Sequence, residues 1–270
     1  MKNAVLSLLP DSFPWKSALR WYDTIGSTND EAKRLAQSGA AHGTVLLAGH
    51  QTGGRGRMGR SFHSPAGKGI YLSVILRPNC LPTELMHLTC AAGVAMCDAV
   101  AQTAGFRPGI KWTNDLVWQT KKMGGILTEL SVDPITGLVR YAIVGIGINC
   151  NHTTADFPPE LQGMASSLSE VSGRPVNYVA VAAAMVQSLH RMDGILLQER
   201  AHLLQAYRKD CITLGQQIVV IRGAEYQYGT ALDVDEEGGL VVHFTDGTVK
   251  TVTSGEVSVR GMYGYISPNS

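Results

Sequence analysis

The chain has 270 residues, of which 44% are hydrophobic and 17% charged, with a formal net charge of +1. That length buries a substantial core, with room for one large domain and a small one, and the composition excludes a disordered or fibrous chain. The near-neutral charge gives no overall pull toward nucleic acid or membrane, so any basic site has to be local.

The leader MKNAVLSLLPDSF carries an apolar patch, but Pro10 and Asp11 cut it short and no small-residue cleavage site follows, so it is a poor signal peptide. The first twenty residues are too few for a DNA-binding domain. From Trp21 the chain reads WYDTIGSTNDEAKRLAQSGA. Thr28-x-x-Glu31 has the form of a capping box, predicting a helix toward Ser38 that Gly39 ends. Ser27, Thr28 and Asn29 either only cap that helix or hold a polar ligand at its N-terminus; spacing leaves both open.

Thr44 to His50 (TVLLAGH) predicts a short apolar strand, leading into QTGGRGRMGRS at Gln51 to Ser61. That run holds four glycines (Gly53, Gly54, Gly56, Gly59) and three arginines (Arg55, Arg57, Arg60). Glycine lets backbone approach a ligand and loses the most entropy on ordering, so such a loop is expensive as mere scaffolding. Each arginine offers a planar fork of donors for carboxylate or phosphate. The loop is therefore expected to fold over an anionic ligand, mobile when empty and ordered when it is bound. A mobile surface turn is the plain alternative.

Ile70 to Leu76 reads as a second strand, and Pro82 opens a predicted helix to about Ala104 with Gly105 at its end. Next, IKWTNDLVWQTKKMGGILTELS predicts strand segments Ile110 to Trp112 and Leu116 to Trp118 around a polar turn at Thr113-Asn114-Asp115, then a strand from Met123 to Ser131. Val139 to Asn149 would pair with that strand across the Asp133-Pro134 turn, giving a mostly antiparallel sheet. Residues 150 to 175 read as a long loop with a short helical piece. Asn177 to about Arg208 is predicted helical, with a break near Asp193-Gly194. The longest apolar run, Val179 to Val186, is too short to span a bilayer. From Gly215 short strands alternate with glycine turns, as in a small β-barrel. The boundary near Ile212 divides the chain into 1–212 and 213–270.

The five cysteines (Cys80, Cys90, Cys97, Cys150, Cys211) are an odd set with no CxxC pair, which favours reduced thiols in the cytoplasm. No histidine or cysteine grouping has zinc-site spacing, and the metal ligands, if any, are unassigned. Gly54-x-Gly56-x-x-Gly59 matches the dinucleotide fingerprint literally, but Pro65 and two glycines stand where a helix should open, and no acid occurs between Arg60 and Glu84. Gly67-Lys68 lacks the upstream glycine of a P-loop, and there is no GxSxG elbow. An arginine–glycine RNA-binding segment would be repeated in polar surroundings, whereas this one is single and flanked by apolar strands. Arg55, Arg57, Arg60, Lys111 and Lys122 with Asn114 and Asp115 suit a site that neutralises a carboxylate and a phosphate together while still deprotonating a neighbour.

GRGRMGR followed by KWTNDLVW, KKMGGILTEL and VGIGINCN resembles the biotin protein ligases. The resemblance extends to STND at Ser27 to Asp30, MASSL at Met164 to Leu168, and LGQQIVV and SGEVSVR in the tail, covering nearly the whole chain. The chain also resembles the monofunctional form that lacks the N-terminal DNA-binding domain. The resemblance implies an α+β fold, a mixed, mostly antiparallel sheet with helices as in biotinyl/lipoyl ligases and class II synthetases, plus a C-terminal SH3-like β-barrel. The implied reaction joins biotin to ATP, giving biotinyl-5′-AMP, and transfers biotin to one lysine of the biotin carboxyl carrier domain of a carboxylase, with Mg²⁺ required.

By the same resemblance, Ser27, Thr28, Asn29 and Gln51 would hold the biotin ring. Arg55, Gly56 and Arg57 would close over the adenylate, with Arg60 also on its phosphate. Lys122 would bridge the biotin carboxylate and the α-phosphate. Asn114, Asp115 and Asn149 would surround the nucleotide, with Lys111 nearby and Arg260 reaching back from the barrel. As the one acid in this cluster, Asp115 is expected to orient or deprotonate the acceptor lysine. Thr113 replaces the family's usual proline and Phe62 its common tryptophan; neither change removes a group the chemistry needs. A lipoate ligase on a similar scaffold is the nearest alternative, and a nucleic-acid-binding module using the basic loop is a more distant one. No membrane association is expected, and a homodimer stays open.

Overall fold

In a computed structural model describing residues 1–262, the apolar runs on either side of the arginine–glycine loop become strands buried at every position. The first part of the chain runs α1 (Lys2–Ser7), β1 (Leu19–Tyr22), α2 (Thr28–Gln37), β2 (Thr44–Ala48), β3 (Gly69–Leu76), α3 (Leu88–Ala104), β4 (Gly109–Lys111), β5 (Asp115–Trp118), β6 (Lys121–Val132) and β7 (Val139–Asn149). The order continues with α4 (Leu168–Ser172), α5 (Tyr178–Ile195), α6 (Arg200–Asp210), β8 (Gln217–Arg222), β9 (Glu225–Val234), β10 (Leu240–Phe244), β11 (Val249–Val252) and β12 (Glu256–Val259). Residues 1–18 hold one α-helix and a 3-10 turn.

Strands β1 to β7 form one sheet in the order β1-β2-β3-β7-β6-β5-β4. Only β1 and β2 run parallel, joined through α2; the other neighbours are antiparallel, as the two predicted hairpins require. Because side chains alternate between faces, β2 and β3 serve two layers at once. Val45, Leu47, Val74 and Val144 join α3 and α5 in the main core. Leu46, Ile75, Tyr141 and Ile143 pack against Ala32, Leu35 and Ala36 of α2. Along that second face, Ser73 and Tyr71 of β3, opposite Gly145 and Gly147 of β7, continue past the N-terminus of α2. This uncovered stretch of sheet is where the site lies.

Strands β8 to β12 form a second, antiparallel sheet in the order β11-β10-β9-β8-β12, the SH3-like C-terminal unit, and its apolar residues belong to the same continuous core. Three contacts fix the junction. Trp112 Nε1 donates to the Gly238 carbonyl at 2.9 Å, Trp112 N donates to Thr213 Oγ1 at 2.9 Å, and Arg208 Nε meets Asp233 at 2.8 Å. All five cysteines are free thiols and buried.

Several boundaries differ from the sequence reading. Ser27, not Thr28, caps α2: its side chain accepts from Asp30 N, and Glu31 is turned to Arg34. The helix predicted from Pro82 is a 3-10 turn, Pro82–Leu85, followed by α3, because Glu84 folds back to accept from Leu81 N at 2.7 Å. Pro82–Ala104 is long and apolar enough to cross a membrane by composition, yet most of it is buried in this core. Helix α5 passes through Gly194 and ends at Ile195, where the buried Leu196 turns its carbonyl to His87 Nε2 at 2.8 Å. Strand β1 was not expected.

The segment after β7 is stitched to the sheet by Lys122 N donating to the Met164 carbonyl at 2.7 Å and Ser166 N donating to the Lys122 carbonyl at 2.9 Å. Behind it His152 is fully buried, stacked on Phe157 at 4.9 Å, and neither ring nitrogen has a hydrogen-bond partner. Burial pushes its pKa down to about 4 from 6.5. A histidine neutral in the fold and protonated when unfolded favours the unfolded state as pH falls below its unfolded value. Stability is therefore lost between about pH 6.5 and 4, by about 3 kcal/mol from this group. Thermal melts from pH 7 to 4 should fall less steeply for His152→Phe than for the unmodified chain; parallel curves would contradict this.

Candidate active site

The cavity opens where α2 stops covering its face of the sheet, and it has a volume of about 390 Å³. On its floor, glycines in the sheet make room for neighbouring side chains to lie close. A Cβ on Gly145 would lie 1.9 Å from Asn29 Oδ1, and one on Gly147 would lie 2.5 Å from the Phe62 ring. Phe62 lies there edge-on to Tyr71, at a centroid distance of 6.3 Å. These glycines answer to close approach, not to backbone conformation.

One end of the cavity is uncharged and hydrogen-bonding. The N-terminus of α2 brings Ser27, Thr28 and Asn29, all buried, beside Gln51. Gln51 Oε1 accepts from Thr28 N at 2.8 Å, and its Nε2 donates to Ser64 Oγ at 3.2 Å, which fixes the amide's direction. Asn29 Nδ2 donates to Glu129 Oε2 at 2.8 Å, and Glu129 in turn meets Lys33 at 2.5 Å.

The other end is cationic. The loop from Gln51 folds as a small hairpin, with Gly56 N donating to the Arg60 carbonyl at 2.7 Å and Phe62 N to the Gly54 carbonyl at 2.9 Å. At its tip Met58 takes a left-handed conformation (φ 56°), which costs a non-glycine residue on the order of 1 kcal/mol. Each arginine has a different anchor. Arg55 pairs with Asp30 at 3.0 Å, Arg57 Nη1 donates to Asn114 Oδ1 at 2.9 Å, and Arg60 forms a two-pronged pair with Glu256 of β12. Asn114 is clasped to β6: its Nδ2 donates to the Ile126 carbonyl at 2.9 Å, and its own carbonyl accepts from Ile126 N at 3.0 Å.

Lys122 lies over Gly125 and pairs with Asp115 at 2.6 Å. Burial pushes the Lys111 ammonium below the ordinary lysine range, with Asp115 and Glu256 working against that shift. Among the described residues Lys111 has no hydrogen-bond or ion-pair partner. Asn149, buried, donates through Nδ2 to the Ser166 carbonyl at 3.0 Å.

Thus Ser27, Thr28, Asn29, Gln51, Arg55, Gly56, Arg57, Arg60, Lys111, Asn114, Asp115, Lys122 and Asn149 all border one cavity. Arg260 does not: it is exposed and its guanidinium bonds Gln217 Oε1 on β8. The second sheet contributes Gly255 to Ser258 and Met262 instead. Asp115 is also not the one acid present, since Glu256 faces the same space. Missed from sequence were Ser73 and Glu129, embedded in strands and read as sheet residues, and the paired glycines of β7. A G-x-G within an apolar strand was the available signal for side chains packing closely on the sheet.

The Biotin/lipoate A/B protein ligase family matches residues 21–149, and the Biotin protein ligase C terminal domain matches residues 213–260. The chain is 34% identical over 242 residues to the bifunctional ligase/repressor BirA of Bacillus spizizenii, covering 89% of this chain and 74% of that protein. It is 31% identical over 238 residues to the biotin–[acetyl-CoA-carboxylase] ligase of Mycobacterium tuberculosis, covering 86% and 85%. Among solved structures, the biotin protein ligase from Aquifex aeolicus in complex with biotin and ATP superposes with a TM-score of 0.75 at 29% identity, covering 90% of this chain and 98% of that one.

If the Arg60–Glu256 pair holds the loop against the second sheet, Glu256→Gln should let trypsin cut at Arg55, Arg57 or Arg60 several-fold faster in the ligand-free protein. Equal cleavage rates would show that the pair carries none of the restraint.

Proposed function

We infer the activity from one premise: the chain belongs to the biotin protein ligases, within the biotin/lipoate A/B protein ligase family. It activates biotin with ATP to biotinyl-5′-AMP, releasing pyrophosphate, and transfers biotin to a specific lysine of a biotin carboxyl carrier domain. The observation that supports this most strongly is the division of one cavity into an uncharged hydrogen-bonding end and a cationic end. Biotin has the same division, a neutral bicyclic head and a terminal carboxylate.

In this reading the head lies over the sheet beside Thr28 and Gln51. The carboxylate and the α-phosphate meet beside Lys122, with Arg55 and Arg57 above and Lys111 and Asn149 alongside. Bringing two anions together is opposed by Coulomb repulsion, and fixed cations in a partly desolvated cavity offset it without reorganising. The carboxylate oxygen attacks the α-phosphorus and pyrophosphate leaves. The resulting mixed anhydride hydrolyses readily, so the arginine loop protects it by excluding water.

Without ligand, Asp115 is held by Lys122 at 2.6 Å. When Lys122 turns to the ligand's anions, Asp115 is released to accept a proton from the incoming lysine, whose amine must be neutral to attack the carbonyl as AMP departs. Mg²⁺ would enter with ATP, neutralising its phosphate oxygens as part of the nucleotide substrate.

Lys122→Ala should lower biotin-dependent ATP–pyrophosphate exchange by at least about 100-fold, the scale of losing one charge-stabilising group. Full exchange would remove the role given to Lys122. Asp115→Asn should slow transfer from preformed adenylate by about 10²-fold, the scale of general-base loss, while leaving the adenylate formed. A defect confined to adenylate formation would assign Asp115 to the nucleotide instead.

A further inference from the structure

Beneath the uncharged end of the cavity the hydrogen-bond protons can be counted. Ser73 Oγ is fully buried and lies 2.6 Å from Asn29 Oδ1 and 2.8 Å from Thr28 Oγ1. The Asn29 amide cannot be reversed. Its nitrogen side faces two acceptors, Glu129 Oε2 at 2.8 Å and the Leu127 carbonyl at 3.4 Å, and Lys33 holds the Glu129 carboxylate at 2.5 Å. Asn29 therefore points an acceptor at Ser73, and the single hydroxyl proton of Ser73 goes to Asn29. The 2.8 Å contact with Thr28 then needs the Thr28 proton, because Ser73 has none left. The other inward acceptor within reach of Thr28 Oγ1 is Gln51 Oε1, at 3.1 Å, which already takes Thr28 N–H. Either way that proton is directed into the protein, and Thr28 shows the cavity lone pairs alone.

We propose that Ser73 is a positioning residue for ligand choice: anchored through Asn29 and Glu129, it holds Thr28 as an obligate acceptor, so that the cavity selects a ring presenting an N–H there. This rests on the ligase reading and deepens it, the selected group being one N–H of a cyclic urea. A ring with an oxygen at the same place faces lone pair against lone pair, and the mismatch leaves a buried polar group unpaired. Removing the Ser73 hydroxyl leaves the Thr28 proton only Gln51 Oε1, at 3.1 Å and already taken by Thr28 N–H, so that proton turns more readily toward the ligand and the choice relaxes.

The test compares kcat/KM for adenylation of biotin with that of its two carbamate analogues, in which one or the other ureido N–H is replaced by oxygen, using pyrophosphate exchange on the full chain. The unmodified protein should reject one of the two analogues by at least about 100-fold, the scale on which a polar site rejects a ligand lacking its partner. In Ser73→Ala that ratio should fall about 10-fold, and in the nearly isosteric Ser73→Cys, a weak donor, it should fall by an intermediate amount. Loss of exchange or melting temperature with the ratio unchanged in whichever variant folds would mean a merely structural Ser73 and overturn the proposal. Absence of biotin-dependent exchange in the unmodified protein would instead overturn the ligase reading.

Discussion

The cavity gathers cationic side chains within one partly enclosed space before any ligand is bound, and the rest of the structure is arranged to hold them there. Left alone, like charges at such spacing repel and seek solvent. Here most are tethered to a neighbour: Arg55 to Asp30, Arg60 to Glu256, Lys122 to Asp115, and Arg57 to the amide of Asn114. These are partly exposed contacts, worth little individually to stability. Their value lies in aiming the cations, so that anionic ligands replace existing partners without having to organise floppy side chains.

The scaffold sets where this happens through the short reach of one helix. Helix α2 covers only part of its face of the sheet, and its N-terminus stops above Ser73. Past that point the sheet carries glycines at Gly145 and Gly147, whose missing side chains make room for Asn29 and Phe62. A helix N-terminus favours lone-pair-bearing groups through its free N–H donors. Here the first such donor, Thr28 N, is already given to Gln51, which orients an amide toward the cavity. The second sheet closes the remaining side, and Trp112, bonded to Gly238, ties it to the turn that carries Asn114 and Asp115.

Much of this is legible in the sequence because the decisive signals are local. Apolar runs bounded by turns mark β2, β3 and β7, and the charged cluster is written in short motifs around Arg55, Asn114 and Lys122. The failures have physical causes. Strand β1 is four residues of mixed polarity, recognisable only through its parallel pairing with β2. The cap of α2 is ambiguous because Ser27-x-x-Asp30 and Thr28-x-x-Glu31 overlap in register, and the contest is settled by Arg34 taking Glu31. Ser73 sits in the apolar strand IYLSVIL, where nothing local distinguishes a network hydroxyl from a tolerated serine. Glu129 lies a hundred residues from Asn29, so their contact exists only in the fold. Arg260 was assigned through a motif alone, and Gln217 of the adjacent strand β8 takes its guanidinium.

The claim on which the account turns is that one cavity joins a neutral ring's carboxylate to a nucleotide and keeps the product. Mass spectrometry of the purified protein after incubation with biotin and MgATP, then rapid desalting, reads this directly. The account predicts biotinyl-5′-AMP retained at close to one equivalent per chain. Retention of lipoyl-5′-AMP but not biotinyl-5′-AMP in a parallel incubation with lipoate, or no retained adenylate with either acid, would contradict it.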